Sequence, residues 1–246
     1  TTSFQLEAMH NLCPEFKQKL KEQGYDHSKV GSLLNPAGTK LYVDIPKNAS
    51  SFVSELLWNS GWIHTTEEEV KVVIRALKDQ SVINEIVVIL RDPVDRWISG
   101  ISQYAMSYLL PETEGYVPTE QLFNDYYNQL VEKLLFATIM FDDHTTPQYY
   151  FIQDIYPEIP RKYYKFTESL SPSLIETLKL NPAKLPEDTK NIRIEIPDRT
   201  DSRVRKRVIV DFINDKIMNN AKLQQKIKDF YKKDYELIEQ ADFVNV

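Results

Sequence analysis

The chain has 246 residues, which fits one large domain or two small ones, and 42% hydrophobic with 11% aromatic residues is enough to build a substantial core. Its formal charge of −6 argues against a general nucleic-acid binder, which needs a basic face to displace counterions from phosphates. The single cysteine, Cys13, excludes an intramolecular disulfide and a cysteine-rich metal centre, and His10, His27, His64 and His144 lack metal-ligand spacing, so no metal is expected. No apolar run approaches the ~18 residues of a membrane span, and the N-terminus TTSFQLEAMH lacks a signal-peptide layout, so the expectation is a cytoplasmic protein with no membrane span.

Residues 1–39 read as an N-terminal helix and loop: Phe16 and Leu20 share a helix face ended by Gly24, and Tyr25 to Thr39 is turn-rich. Leu41, Tyr42, Val43 and Ile45 form a short apolar run expected to be a buried strand. A tight polar turn follows, Pro46-Lys47-Asn48-Ala49-Ser50-Ser51, and from Ser51 to about Asn59 a helix carries Phe52, Leu56 and Trp58 among its apolar positions. A strand that turns directly into a helix leaves backbone N–H groups and the positive end of the helix dipole aimed at one spot, which suits a phosphate or sulfate. Lys47 adds a full positive charge there, and Ser50 and Ser51 add hydroxyls. This is not the nucleotide loop of ATPases, because the G-x-x-x-x-G-K-[ST] spacing is absent and no glycine falls between Gly38 and Gly61.

Gly61 to His64 is expected to be a short second strand, and Thr65 or Thr66 to cap a helix with Val70, Val73, Ile74 and Leu77 inward. Ile86 to Leu90 are five consecutive apolar residues, a third strand broken by Arg91-Asp92-Pro93, with Pro93 well placed in the first turn of the next helix. Residues 107–118 form a loop and 119–140 a helix; Phe141 to Gln148 is too polar and turn-prone to continue it. Tyr163 to Phe166 reads as a strand, Ser169 opens a helix stopped by Pro182, and Asn191 to Ile196 alternates as a strand. Asp201 or Ser202 caps a final helical region with Val208, Phe212, Ile213, Ile217, Ile227, Phe230 and Tyr231 at helical spacing. Strands separated by helices imply an α/β fold with a mostly parallel sheet flanked by helices. No linker or repeat interrupts the chain, so 1–246 reads as one domain with its α/β core at 40–240.

The turn P-K-N-A-S-S followed by F-V-S-E resembles the 5′-phosphosulfate loop of sulfotransferases that use 3′-phosphoadenosine 5′-phosphosulfate (PAPS), whose pattern is roughly P-K-[ST]-[GA]-[ST]-[ST]-[WF]. Arg91 at a strand end and Ser99 eight positions later on the following helix resemble the 3′-phosphate motif of the same family. Two further segments resemble its carbohydrate branch, which includes Golgi enzymes and microbial relatives. Asp142-Asp143-His144-Thr145-Thr146-Pro147-Gln148 is similar to D-x-H-[WF]-x-P-Q, with Thr145 in place of the aromatic, and Tyr231, Asp234 and Tyr235 match Y-x-x-D-Y.

The resemblance implies a P-loop-kinase-like sulfotransferase fold and transfer of a sulfuryl group from PAPS to a hydroxyl acceptor, expected to be a carbohydrate, without a metal. It assigns Lys47 to the leaving group, Asn48, Ala49, Ser50 and Ser51 to the 5′-phosphosulfate, and Arg91 and Ser99 to the 3′-phosphate, a role that suits the planar donor fork of arginine. Phe52 falls where relatives carry a tryptophan against adenine, though a core phenylalanine fits equally well. Ala49 stands where the pattern often has glycine, and its methyl can restrict backbone approach to a phosphate. A general base is expected, His64 or His144, with Glu67 or Glu68 as substitutes near the former. The basic residues Arg199, Arg203, Arg205, Lys206 and Arg207 read more readily as a solvated helix face than as a glycan contact. The family also raises a second location, the lumenal domain of a Golgi enzyme separated from its anchor, against which the sequon Asn48-Ala49-Ser50 argues weakly, since a glycan there would block the loop. Two alternatives stay open: a kinase-like phosphotransferase, and a non-catalytic nucleotide- or glycan-binding module. The acceptor and the oligomeric state have no readable motif.

Overall fold

The computed structural model describes residues 32–65, 83–105, 139–153, 157–181 and 202–244, with isolated helical positions between 121 and 131. The helices expected before residue 24 and after Thr65, the strand at Asn191 to Ile196, the loop at 107–118, Glu67 and Glu68 lie outside them. The described residues form two compact units: a sheet unit within 32–92, 148–181 and 233–244, and a helical unit within 93–147 and 202–232. Among the described residues no helix is long and apolar enough to cross a membrane.

The sheet unit contains β1 (Ser32–Leu34), β2 (Lys40–Val43), β3 (Ile63–Thr65), β4 (Glu85–Leu90) and β5 (Arg161–Lys165) in the spatial order β3-β1-β2-β4-β5. β2, β4 and β5 run parallel, whereas β1 pairs antiparallel with both β2 and β3. The sheet is therefore mixed: the expected parallel arrangement holds for its β2-β4-β5 half and not for the other. β1 is a strand where only loop was expected, since three residues between Gly31 and Asn35-Pro36 are too few to display a period. β3 sits one to two residues later than expected.

Alternation along β4 explains its unbroken apolar run. Val87 and Ile89 join Leu33, Tyr42 and Tyr164 in a core under α1 (Ser50–Asn59) and α4 (Leu170–Leu178), contributed by Val53, Leu56, Leu57, Leu170 and Leu174. Ile86, Val88 and Leu90 join Leu41, Val43 and Ile45 in a second core with Phe151 and Ile152 of α3 (Gln148–Ile152), against which Leu237 and Ile238 of α7 (Lys232–Gln240) pack. A strand buried on both faces has no polar side to show in its sequence. The outer edge of β5 is partly covered by a parallel bridge between Tyr163 and Phe243.

α1 stops at a glycine because the backbone there turns left-handed. Gly61 has φ +87, its N–H bonds the Trp58 carbonyl at 3.0 Å, and the Trp62 N–H bonds the Leu57 carbonyl at 3.0 Å, a Schellman closure with Trp62 and Leu57 buried together. Trp58, one of the apolar positions of this helix, is 55% exposed. The buried stripe of α1 is Val53, Leu56 and Leu57, and Trp58 falls outside it.

In the helical unit, α2 (Pro93–Tyr104) packs against α5 (Ser202–Met218) and α6 (Ala221–Phe230). Among the described side chains of α5 the buried positions are Ile209, Ile213 and Ile217, four apart; Ile209 replaces the expected Val208 in that stripe. α6 is capped by Asn220, whose side chain accepts from the Leu223 N–H at 3.1 Å.

Gly100 on α2 lies against the turn at 142–146. A Cβ there would stand 2.5 Å from the His144 carbonyl oxygen and 3.0 Å from Thr145 Cγ2. Gly100→Ala is therefore expected to destabilise the protein by about 1–3 kcal/mol, overriding the ~1 kcal/mol that alanine gains over glycine in a helix. Denaturant unfolding measures it; a stabilised variant would show the contact is not rigid.

Candidate anion-binding site

The turn between β2 and α1 begins as a β-turn in which the Asn48 N–H bonds the Ile45 carbonyl at 3.1 Å. Pro46 occupies the position where its fixed φ is favourable, and Lys47, at the next position, has φ +69, a left-handed value usually left to glycine or asparagine. Ala49, the N-cap of α1, is left-handed as well, at φ 60 and ψ 26. Two non-glycine residues in this region cost on the order of 1–2 kcal/mol each, so the surroundings must hold them there. The methyl of Ala49 therefore does not stop the loop from adopting the backbone expected of glycine.

What holds them is a set of long-range hydrogen bonds. Asn48 is buried, and its Nδ2 donates to the Ile89 carbonyl at 2.8 Å and to Gln148 Oε1 at 2.7 Å. Gln148, also buried, accepts from the Arg91 N–H at 3.0 Å and donates Nε2 to the Arg91 carbonyl at 2.7 Å, occupying both backbone groups of the residue just past β4. Arg91 Nη1 donates to the Lys47 carbonyl at 2.7 Å, and its guanidinium lies 4.4 Å over the Phe166 ring. Gln148 is anchored in turn by Asp234, whose carboxylate accepts from the N–H groups of Gln148 at 2.8 Å and Tyr149 at 2.9 Å, capping α3. Asp234 is completely buried.

α1 has no side-chain cap, since alanine offers none, so its leading N–H groups and the positive end of its dipole face the turn that carries Lys47. Alternating backbone handedness of this kind makes a concavity of N–H groups suited to an anion. The structure thus brings Lys47, Asn48, Ala49, Ser50, Ser51 and Arg91 together at the C-terminal ends of the parallel neighbours β2 and β4, the edge where ligands bind on such sheets. Phe52 is half-buried and packs against the core beneath α1. His64 lies on β3, exposed, with its ring 5.4 Å from that of Trp58. Tyr149, Tyr150 and Tyr164 are core residues, and burial pushes the Tyr164 phenol up to about 12.

Ser99 and His144 belong to the helical unit. Ser99 is half-exposed on α2. His144 sits in a turn organised by Thr145, which is fully buried: Thr145 Oγ1 accepts from the N–H groups of Phe141 at 2.8 Å and Asp142 at 3.1 Å and donates to the Asp142 carbonyl at 3.0 Å. These bonds use the whole capacity of a hydroxyl and account for a threonine where the related motif has an aromatic. Buried Arg96 adds bonds to the carbonyls of Thr146 and, at 3.3 Å, Asp143; Tyr231 donates its hydroxyl to the Thr145 carbonyl. His144 Nδ1 is 3.0 Å from Asp142 Oδ2 and 3.2 Å from Asp143 Oδ1. Donation of Nδ1–H to Asp142 leaves Nε2 with its lone pair, the tautomer a general base requires. Asp142, Asp143 and His144 place ligand atoms within 4.8 Å of one another, but the imidazole bonds explain that gathering without a cation.

Sequence reasoning missed three residues of this arrangement: Asp44, whose carboxylate accepts from Ser50 Oγ at 2.7 Å, and the bracing roles of Gln148 and Asp234. Gln148 and Asp234 stand in the two motif segments, but nothing in their spacing shows contacts reaching up to 100 residues away, and Asp44, bonded to near neighbours, reads as an ordinary polar residue after a strand. Of the basic group, Lys206 is half-exposed and Arg207 exposed; the side chains of Arg199, Arg203 and Arg205 lie outside those described. Comparison with protein-family models, curated proteins and solved structures found no match to this chain.

Proposed function

We propose that the protein is a PAPS-dependent sulfotransferase acting on a hydroxyl acceptor of the carbohydrate class. The observation that carries this reading is the left-handed Lys47-Asn48-Ala49 turn opening α1, with the Arg91 guanidinium bonded to its Lys47 carbonyl. The two cations singled out by separate sequence motifs thus share one sheet edge, as two ends of a doubly phosphorylated adenosine would require. In the transfer, negative charge grows on the oxygen bridging phosphorus and sulfur as that bond to sulfur breaks, and the acceptor oxygen bonds to sulfur in line. Lys47 and the N–H groups of the turn are suited to stabilise the leaving oxygen. Phe52 and Ser99 enter through the family resemblance.

For the base, the orientation of His144 by Asp142 favours it over His64. His144→Asn is expected to lower turnover by about 10²–10⁴-fold with nucleotide affinity unchanged, while His64→Asn stays near wild type. The reverse outcome in single-turnover kinetics assigns the base to His64.

The function is tested by calorimetry with adenosine 3′,5′-bisphosphate and ATP, followed by a labelled-sulfate transfer screen over glycans, phenols and peptides. Selective bisphosphate uptake with label transfer is the expected result. Preference for ATP moves the assignment to a phosphotransferase, and tight bisphosphate binding without transfer to any acceptor moves it to a binding module.

A further inference from the structure

Asp44 follows β2 and leads into the turn, and its carboxylate meets two hydroxyls. Oδ2 lies 2.7 Å from Ser50 Oγ on the first residue of α1, and Oδ1 takes a longer bond of 3.4 Å from the Tyr42 hydroxyl. Tyr42 is buried, and its phenol is pushed well above the ordinary value by that burial and then by the Asp44 charge, so it keeps its proton. An ionised carboxylate only accepts, so the one hydrogen of Ser50 points at Asp44. The Ser50 hydroxyl then offers a ligand nothing but lone pairs. Phosphate and sulfate oxygens are acceptors too, so the hydroxyl that should welcome the anion faces it with the wrong polarity.

Protonating Asp44 reverses the bond. The acid O–H then donates to Ser50 Oγ, and the serine hydrogen is released toward the loop. We propose that Asp44 is a positioning residue that takes up one proton when the loop takes up its anion, turning Ser50 into a donor toward the ligand. The proton comes from solvent and ends on Asp44; no other bond is made or broken. This rests on the anion-binding reading above. Burial raises the Asp44 pKa, which favours such uptake, while the bonds from Ser50 on α1 and Tyr42 on β2 and the charge of His64 on β3 oppose it.

The test titrates adenosine 3′,5′-bisphosphate calorimetrically between about pH 5.5 and 8.5 into wild type, Asp44→Asn, Ser50→Ala and His64→Gln. The titration of the ligand's own phosphates is common to all four. Asp44→Asn carries an amide that donates to Ser50 as the protonated acid does, so at the alkaline end it should bind about tenfold tighter than wild type, with a flatter profile. Ser50→Ala, with no hydrogen to redirect, should bind no tighter at the acid end than wild type does at the alkaline end. His64→Gln should keep the wild-type slope, displaced if anything to higher pH because it removes a charge that opposes protonation of Asp44. Parallel curves for wild type and Asp44→Asn, a full acid gain in Ser50→Ala, or loss of the slope in His64→Gln each overturns the proposal while leaving the site reading intact. No binding by any of the four removes the site reading and this proposal together.

Discussion

In a labelled-sulfate transfer assay, Lys47→Met is expected to lose about 10²–10³-fold in turnover, the cost of removing one well-placed electrostatic donor, or roughly 2.7–4 kcal/mol. Methionine keeps an unbranched stem and asks for the same left-handed backbone at φ +69, so folding should not contribute to the loss. The Lys47 carbonyl, which receives Arg91 Nη1, is a backbone group and survives the substitution. The loss should fall on the chemical step more than on affinity, because the charge is wanted most where charge develops. A methionine variant turning over at the wild-type rate would remove Lys47 from the reaction and the sulfotransferase reading with it.

Asp234→Ala carries the largest expected effect on stability. The substitution strips the acceptors from two buried N–H groups, those of Gln148 and Tyr149, at about 1–3 kcal/mol for each unsatisfied donor. A total loss of about 3–4 kcal/mol in denaturant unfolding is expected, the usual non-additivity trimming the sum. The effect should reach the loop, because Gln148 holds both Asn48 and the backbone of Arg91. Bisphosphate affinity measured well below the unfolding midpoint should therefore drop as well. Asp234→Asn keeps one acceptor but turns a donor toward a donor, and should fall between alanine and wild type. Full stability in Asp234→Ala would mean that the α3 cap is satisfied some other way.

Much of the sheet could be read in advance, for reasons visible in particular residues. Ile86 to Leu90 announces a strand because both faces of β4 are buried and nothing polar interrupts it. The end of α1 near Asn59 was placed correctly, but Gly61, read as the start of a strand, instead makes the left-handed closure that ends the helix. β1 was not legible: Ser32, Leu33 and Leu34 are strand only because β2 and β3 pair with them, and pairing is not a local property. Val208 was put in the α5 stripe where Ile209 belongs, and Trp58 is apolar yet exposed, since an apolar residue at the margin of a helical stripe can face either way. At the site, Lys47, the serines and Arg91 carry their chemistry in their residue type. Their supports do not: Gln148 and Asp234 act through contacts 57 to 100 residues apart, and Asp44 looks like any polar residue after a strand.

These separations bear on how the molecule comes into being on the ribosome. The left-handed turn at 46–49 leaves the exit tunnel early, yet Gln148 has not been made when it does, and Asp234 follows 86 residues after Gln148. Until that carboxylate emerges, the strained conformation lacks the scaffolding that sustains it, so the anion loop should reach its working shape only after residue 234 is exposed rather than with the neighbouring strands. Nascent chains arrested with residue 234 still inside the exit tunnel and with it extended clear of the tunnel should differ in their capacity to retain the bisphosphate, even though every residue of the loop is present in both.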